Sequence, residues 1–549
     1  MADSPRQSLT GNNVIHPPGT FQLIRGDETD LHGQRVVILD PIPSNDPNEP
    51  LNWSTTRKTA NFAIVLATTA IIFTAISIQA VFWQQMVVDL QVSYTHLNQC
   101  MSVNYVGLST GCVVFIPLAK KYGRRPVYIA STALMLATSF WTANLQSLTE
   151  LYITNLLQGF AGATNESIAE ITIADLFFVH HRGSMNGLYM VMIMIGSFLA
   201  PMAAGTQATR QGWRSSYRTM GIFNGILLAL FLLFFEETKY IPVITGRAST
   251  SPSEDDDLSA TPKSDTKPEY SKDSKARITL ENSNQQHELD PTIPRNPWQK
   301  RLALITATPE PIWPYYWRPF YVLATFPTVL FAALQYAAGV VWLTVTANVL
   351  SLVFPLPPYQ FTPEQIGFMS LGPFVGNVLG GIYGGVLGDW LIVYFSRRNR
   401  GLYEPEMRLY ILHLPALAMA GGLIVFGTAI SRGMHWIYPS IGGALFGFGL
   451  GSISDSALTL VIDSYREITG DAFTGIAFLR NAVSIGIPFA IIPWMQRAGL
   501  QNMFLACGFL SLGMTLLILP MVFWGKAARR VTAARYDRLV KQQGRLHAA

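Results

Sequence analysis

Apolar runs of membrane-crossing length recur along this chain, separated by short polar connections. They fall at residues 58–83, 97–119, 127–146, 149–175, 184–207 and 214–235, and again at 318–352, 363–390, 408–430, 434–461, 472–495 and 500–524. About 20 helical residues cross a hydrocarbon core, so every run is long enough, and the longer ones leave room for tilt or for a kink such as one at Pro327. The pattern predicts an all-α integral membrane protein with twelve transmembrane helices in two six-helix, pseudo-symmetric bundles. The bundles would cover 58–235 and 318–524.

Three polar segments frame them: a tail at 1–57, a linker at 236–317 and a second tail at 525–549. The linker is the sharpest break in composition. Residues 236–301 carry 22 Asp, Glu, Lys and Arg, including Asp255-Asp256-Asp257, against 13% charged residues in the whole chain. Such a segment cannot bury enough apolar surface to build a core and reads as largely disordered. The N-terminal tail lacks the apolar stretch of a cleaved signal, so the first run is expected to be retained. An even number of spans puts both tails and the linker on one face. Short connections there carry Lys120, Lys121, Arg124, Arg125, Arg182, Arg397, Arg398, Arg400 and Arg466, while the opposite ones carry Arg210, Arg214, Arg218, Arg432 and Arg497. The excess of cations assigns the first face to the cytoplasm.

Net charge is only +5 and forms no basic stripe, which argues against a nucleic-acid partner. Cys100, Cys112 and Cys507 show no metal spacing or disulfide framework. The sequence contains no phosphate-binding glycine loop, His-Glu-x-x-His or Gly-x-Ser-x-Gly, so neither an enzyme nor an ATP-driven pump is expected, and no cofactor is implied.

Several motifs narrow the reading. Leu118-Ala119-Lys120-Lys121-Tyr122-Gly123-Arg124-Arg125 follows the second run, and Gly385-Val386-Leu387-Gly388-Asp389-Trp390 ends the eighth. The fifth run holds Gly196-Ser197-Phe198-Leu199-Ala200-Pro201-Met202-Ala203-Ala204-Gly205. Glu49-Pro50-Leu51-Asn52-Trp53-Ser54 precedes the first run, Ala174 to Gly183 follows the fourth, and Asp463-Ser464-Tyr465-Arg466-Glu467 and Arg480-Asn481 mark the last third. With these, residues 45–525 resemble the major facilitator superfamily, specifically its fungal twelve-span branch of drug:proton antiporters and polyamine or cation carriers. The resemblance implies conformational roles for Gly123, Arg124, Arg125, Asp389, Gly196, Pro201 and Gly205. Three positions depart from its pattern: Ile116 for a glycine, Lys120 for an aspartate, and Asn155 where drug-transporting members carry arginine. The fifth-run glycines also have a plainer reading, close helix packing beside a proline bend.

Candidate chemistry centres on the fourth run. Asn155, Gly159, Gly162, Glu166 and Glu170 recur at helical spacing and share one face. An acid at mid-bilayer costs about 2.5–3.5 kcal/mol, so such a stripe is expected to face a water-filled cavity rather than lipid. Glu166 reads as a proton-titrating group or counter-ion, with a structural ion pair as its alternative. Glu170 and Asp175 sit nearer the loop, where Arg182 is a possible partner. In the second half, Asp455 and Arg480 occupy consecutive spans and can pair, either as a moving contact or as a static bridge. Asn481 adjoins Arg480. Gln79, Asn104, Gln335, Asn348, Tyr105, Tyr336 and Trp342 are further candidates for a cavity wall, and His413 reads as a structural histidine.

The leading expectation is a monomeric plasma-membrane carrier that uses protons to export a small organic molecule. Proton-linked uptake of a polyamine or other organic cation is the alternative within transport, and a substrate-sensing receptor the alternative from another class. The assigned topology predicts that a tag at either terminus resists protease added to intact cells, and cleavage there would overturn it.

Overall fold

The computed structural model describes residues 17–22, 46–240, 293–308, 311–399 and 401–548. Among them, twelve long helices follow the twelve apolar runs. The first half comprises α1 (Thr55–Val81), α2 (Tyr94–Tyr122), α3 (Arg124–Asn144), α4 (Leu148–Leu176), α5 (Val179–Met194 and Ala200–Gln211, joined by a π-helical turn) and α6 (Trp213–Leu233). The second comprises α7 (Pro327–Val353), α8 (Pro363–Arg398), α9 (His413–Ser431), α10 (Ile437–Ser464), α11 (Thr469–Ala498) and α12 (Leu500–Thr515 continuing as Ile518–Ala548). Ten of these are long and apolar enough to cross a membrane. The other two, α3 and α4, are also long enough but more polar. On α4, Asn155, Gln158, Asn165, Glu166 and Thr172 are all buried in protein, so lipid does not meet their polar groups.

The run at 318–352 is two helices. Trp313–Thr325 ends at Phe326, and Pro327 opens α7, where its missing N–H costs nothing. At the other end of the chain α12 does not stop near 524 but continues as helix to Ala548. Both ends of the expected linker are ordered against the first half. Glu236 pairs with Arg57, and the Glu237 carboxylate accepts from the N–H groups of Arg124 (2.9 Å) and Arg125 (3.1 Å), capping α3. Thr306 and Thr308 donate their backbone N–H to the carbonyls of Tyr122 and Lys121. The middle of the linker, residues 241–292 with Asp255-Asp256-Asp257, lies outside the described residues, as do 1–16, 23–45, Arg400 and the side chain of Arg182.

A short strap from the N-terminal tail lies on the second half. Phe21–Gln22 (β1) pairs antiparallel with Leu402–Tyr403 (β2). Gly19, at φ +79°, turns so tightly against the end of α10 that a Cβ there would stand 2.5 Å from the Asp463 carbonyl oxygen. Beneath it is Arg529 of α12, with no exposed side-chain surface, paired with Glu406 and donating to the Pro18 carbonyl and to Thr20 Oγ1 (3.0 Å). Removing one partner of a buried ion pair strands the other charge. Arg529→Ala is therefore expected to cost about 3–5 kcal/mol, read as a fall in the thermal unfolding midpoint of the purified protein. An unchanged midpoint would show that Glu406 is solvated or paired elsewhere.

Candidate functional site

The two halves enclose a cavity of about 500 Å³, lined from α1, α2, α4 and α5 on one side and α7, α8, α10 and α11 on the other. Its walls are mostly apolar, with Phe73, Met101, Met194, Leu343 and Phe446 among them, and its charged liners are Glu166, Asp455 and Arg480. Away from the face that bears the termini, α5 and α8 meet backbone to backbone. A Cβ on Gly205 would stand 2.5 Å from the Pro363 carbonyl oxygen, and one on Gly367 2.5 Å from that of Pro201. Thr209 Oγ1 there accepts from the Glu364 N–H (3.2 Å). Farther along the same pair of helices, toward the termini, a Cβ on Gly187 or Gly385 would meet nothing within 4 Å, and both glycines line the cavity. The seam is shut at one end and parted at the other.

Glu166 and Arg480 form an ion pair across the two halves, their side chains 3% and 6% exposed. Both members have further partners. The Asn481 amide donates to Glu166 Oε2 (2.7 Å) while its carbonyl oxygen accepts from Arg480 (3.1 Å), and the guanidinium also donates to the Tyr336 hydroxyl (3.0 Å). Buried charges survive only with such coordination. Nearby, Tyr105 and Thr344 share a hydrogen bond (2.7 Å), and Asn348 donates to Asn98 (2.9 Å), both across the halves.

This corrects the expected pairing of Arg480 with Asp455. Asp455 lines the cavity on α10, and among the described residues no cation lies within ion-pair distance of its carboxylate. The fourth-run stripe also divides. Glu166 reaches the cavity, whereas Gly159 packs on the α2 backbone at Asn104 and Asn155 holds α2 through its carbonyl, which accepts from Asn104 (3.1 Å). Small residues on that face serve close packing of α2 on α4, and the water-facing role of Asn155 and Gly159 is not what the packing provides. Glu170 lies one turn beyond Glu166, away from the large cavity. Asp175 pairs with Arg124 (3.0 Å). Of the other candidates, Tyr105, Tyr336 and Asn348 line the cavity, whereas Gln79, Asn104, Gln335 and Trp342 do not. His413 starts α9, bonded to the Tyr410 carbonyl oxygen (2.9 Å).

The loop motifs form charge networks at the terminus-bearing face. Lys120, standing where the resemblance leads one to expect aspartate, pairs across the halves with Asp471 in the first turn of α11. Nothing in the spacing of Lys120 announced its partner. In the second half Arg408 joins Asp389 (3.0 Å) to Asp463 (2.8 Å). Arg125 reaches the carbonyl oxygens of Leu232 (2.8 Å) and Leu302. Gly196 packs on α1 at Ala70 within the first half, while Pro201 and Gly205 belong to the seam between halves.

A cavity between two six-helix bundles, with charged groups from both at its wall, is the construction of a membrane transporter. The chain belongs to the Major Facilitator Superfamily, whose profile matches residues 65–488. An uncharacterized MFS-type transporter of Schizosaccharomyces pombe is 29% identical, with 98% of this chain and 96% of that one covered. Protein HOL1 of Saccharomyces cerevisiae is 26% identical over 95% and 97%. A multidrug transporter of Candida glabrata, TPO1_2, is 24% identical over 90% and 79%. The proton:xylose symporter XylE, bound to a halogenated glucose, shares the fold with a TM-score of 0.55 at 13% identity, covering 85% of this chain and 96% of that one.

The geometry predicts which partner rescues Arg480. Arg480→Ala strands Glu166, at a cost of about 3–5 kcal/mol, and adding Glu166→Gln should restore most of the lost thermal stability and folded yield. Adding Asp455→Ala should restore none. Additive losses with Glu166→Gln would contradict the pair.

Proposed function

We propose that this chain is a secondary active carrier that works by alternating access, exchanging protons for a small amphipathic organic molecule that it exports across the plasma membrane, as a monomer with both termini in the cytoplasm. The observation that carries the reading is the Glu166–Arg480 pair. It joins the two halves at the cavity wall, where a proton on Glu166 would cancel the charge that holds Arg480. The apolar lining suits a hydrophobic body, and the names of fungal relatives such as the multidrug transporter accord with export. One observation favours a cationic substrate. Arg480 is paired with Glu166, so Asp455 is the acid at the cavity wall without an ion-pair partner among the described residues. That charge also suits the alternative direction, uptake of a polyamine or other organic cation.

Proteoliposomes tested with tetraphenylphosphonium, ethidium and spermidine under a pH gradient distinguish these readings. Accumulation of at least one cation at the expense of the proton gradient is expected, its direction deciding export or uptake. Glu166→Gln keeps shape but cannot titrate. It should abolish uphill accumulation while one-for-one exchange persists, measured per folded protein because the substitution also strands Arg480. Binding without flux would favour a sensor, and full uphill transport by Glu166→Gln would remove Glu166 from the coupling step.

A further inference from the structure

Glu166 meets the large cavity with both carboxylate oxygens already engaged. One carboxylate oxygen is held by Arg480 and the other by Asn481, and the face it shows the large cavity lies among those two partners. A second chamber, of about 20 Å³, adjoins the pair and extends toward the terminus-bearing face, where Glu170, Tyr189, Phe473 and Ala477 line it but not the large cavity. That is room for one water molecule. Glu166, Arg480, Tyr189 and Tyr336 line it, and so does Glu170, which does not line the large cavity.

Glu170 Oε2 is buried and has no hydrogen-bond partner among the described residues. A buried carboxyl oxygen without a partner, beside a space of water size, is a group that a water molecule can satisfy. The ionisable groups facing it are Glu166 on its own helix, Tyr189 from α5, Tyr336 from α7 and Arg480 from α11, while the walls from α1 and α10 are apolar. Tyr189 donates its hydroxyl to the Asn165 carbonyl oxygen (3.2 Å), and Tyr336 accepts from Arg480 (3.0 Å). Tyr189 thus has its proton engaged, Tyr336 keeps an O–H that can donate, and Glu170 Oε2 is the carboxyl oxygen facing the chamber without a partner.

We propose that this chamber holds a single water that passes protons between Glu170 and Glu166, making Glu170 the group through which the coupling acid exchanges protons with the cytoplasm. The inference rests on the proton-coupled reading above. In the loading direction the O–H bond of the Glu170 carboxylic acid breaks and its proton joins the water. The water gives one of its own protons to the Glu166 carboxylate, forming an O–H bond there and releasing Arg480. The Glu170 carboxylate regains a proton from cytoplasmic hydronium, and discharge runs the same steps backward. The relay is the same whether substrate moves in or out, because in either case the proton meets the cytoplasm on this side.

The test needs no substrate. The full chain, reconstituted in neutral phospholipid vesicles, is given a pH jump, and protonation is followed by the carboxylic C=O bands of its infrared difference spectrum. The band lost in Glu166→Gln belongs to Glu166. In Glu170→Gln that band should keep its final amplitude but rise at least tenfold more slowly, and in Glu170→Asp, with a shorter reach to the water, the slowing should be intermediate. A purely structural Glu170 would alter amplitude or folding without this kinetic delay. An unchanged rise in Glu170→Gln, or in Glu170→Asp where the amide variant fails to fold, would overturn the relay alone. A parent spectrum identical to that of Glu166→Gln would instead overturn the proton-coupled reading and the relay with it.

Discussion

A carboxylate and a guanidinium buried between two helical bundles cannot be parted cheaply, and the arrangement around Glu166 and Arg480 follows from that. In low dielectric each charge must keep a partner of opposite sign or lose its charge. Asn481 serves both members at once, accepting from one and donating to the other, and Tyr336 takes a further guanidinium proton. The pair draws on α4 of the first half and α11 of the second, so its integrity is a statement about how the halves sit. A proton delivered to Glu166 changes that statement without any change in chain geometry, which is what coupling a gradient to a motion requires.

The seam between α5 and α8 is another place where the halves meet. Gly205 and Gly367 bring carbonyls and α-carbons into contact that any side chain would prevent, while the stretch around Gly187 and Gly385 stands open beside the cavity. Near the termini, Lys120 and Asp471 add a second tie between halves on the other side of the cavity, along α2 and α11.

Hydropathy alone delivered the spans and the two halves, because a bilayer imposes one length and one composition on whatever crosses it. It could not deliver neighbours. Helical spacing correctly grouped Asn155, Gly159 and Glu166 on one face of α4, yet that face turns from packing against α2 to lining the cavity within three turns. Asp455 and Arg480 lie on consecutive spans but face different partners, since adjacency in sequence says nothing of rotation about the helix axis. The strap held by Arg529 was invisible for another reason: a polar tail has no periodicity to betray a docking site more than 500 residues away in sequence. Chemistry-bearing residues were thus legible by type and depth, and their partnerships were not.

The central claim is that protonation of Glu166 loosens the buried pair and moves the parted end of the seam. Spin labels on Leu188→Cys and Val386→Cys, exposed positions on α5 and α8 beside Gly187 and Gly385, would report that end directly by pulsed distance measurement in vesicles. Acidification should shorten the distance in the parent, and Glu166→Gln should hold the short distance at every pH. An acid-induced shortening of the same size in both proteins would contradict the account.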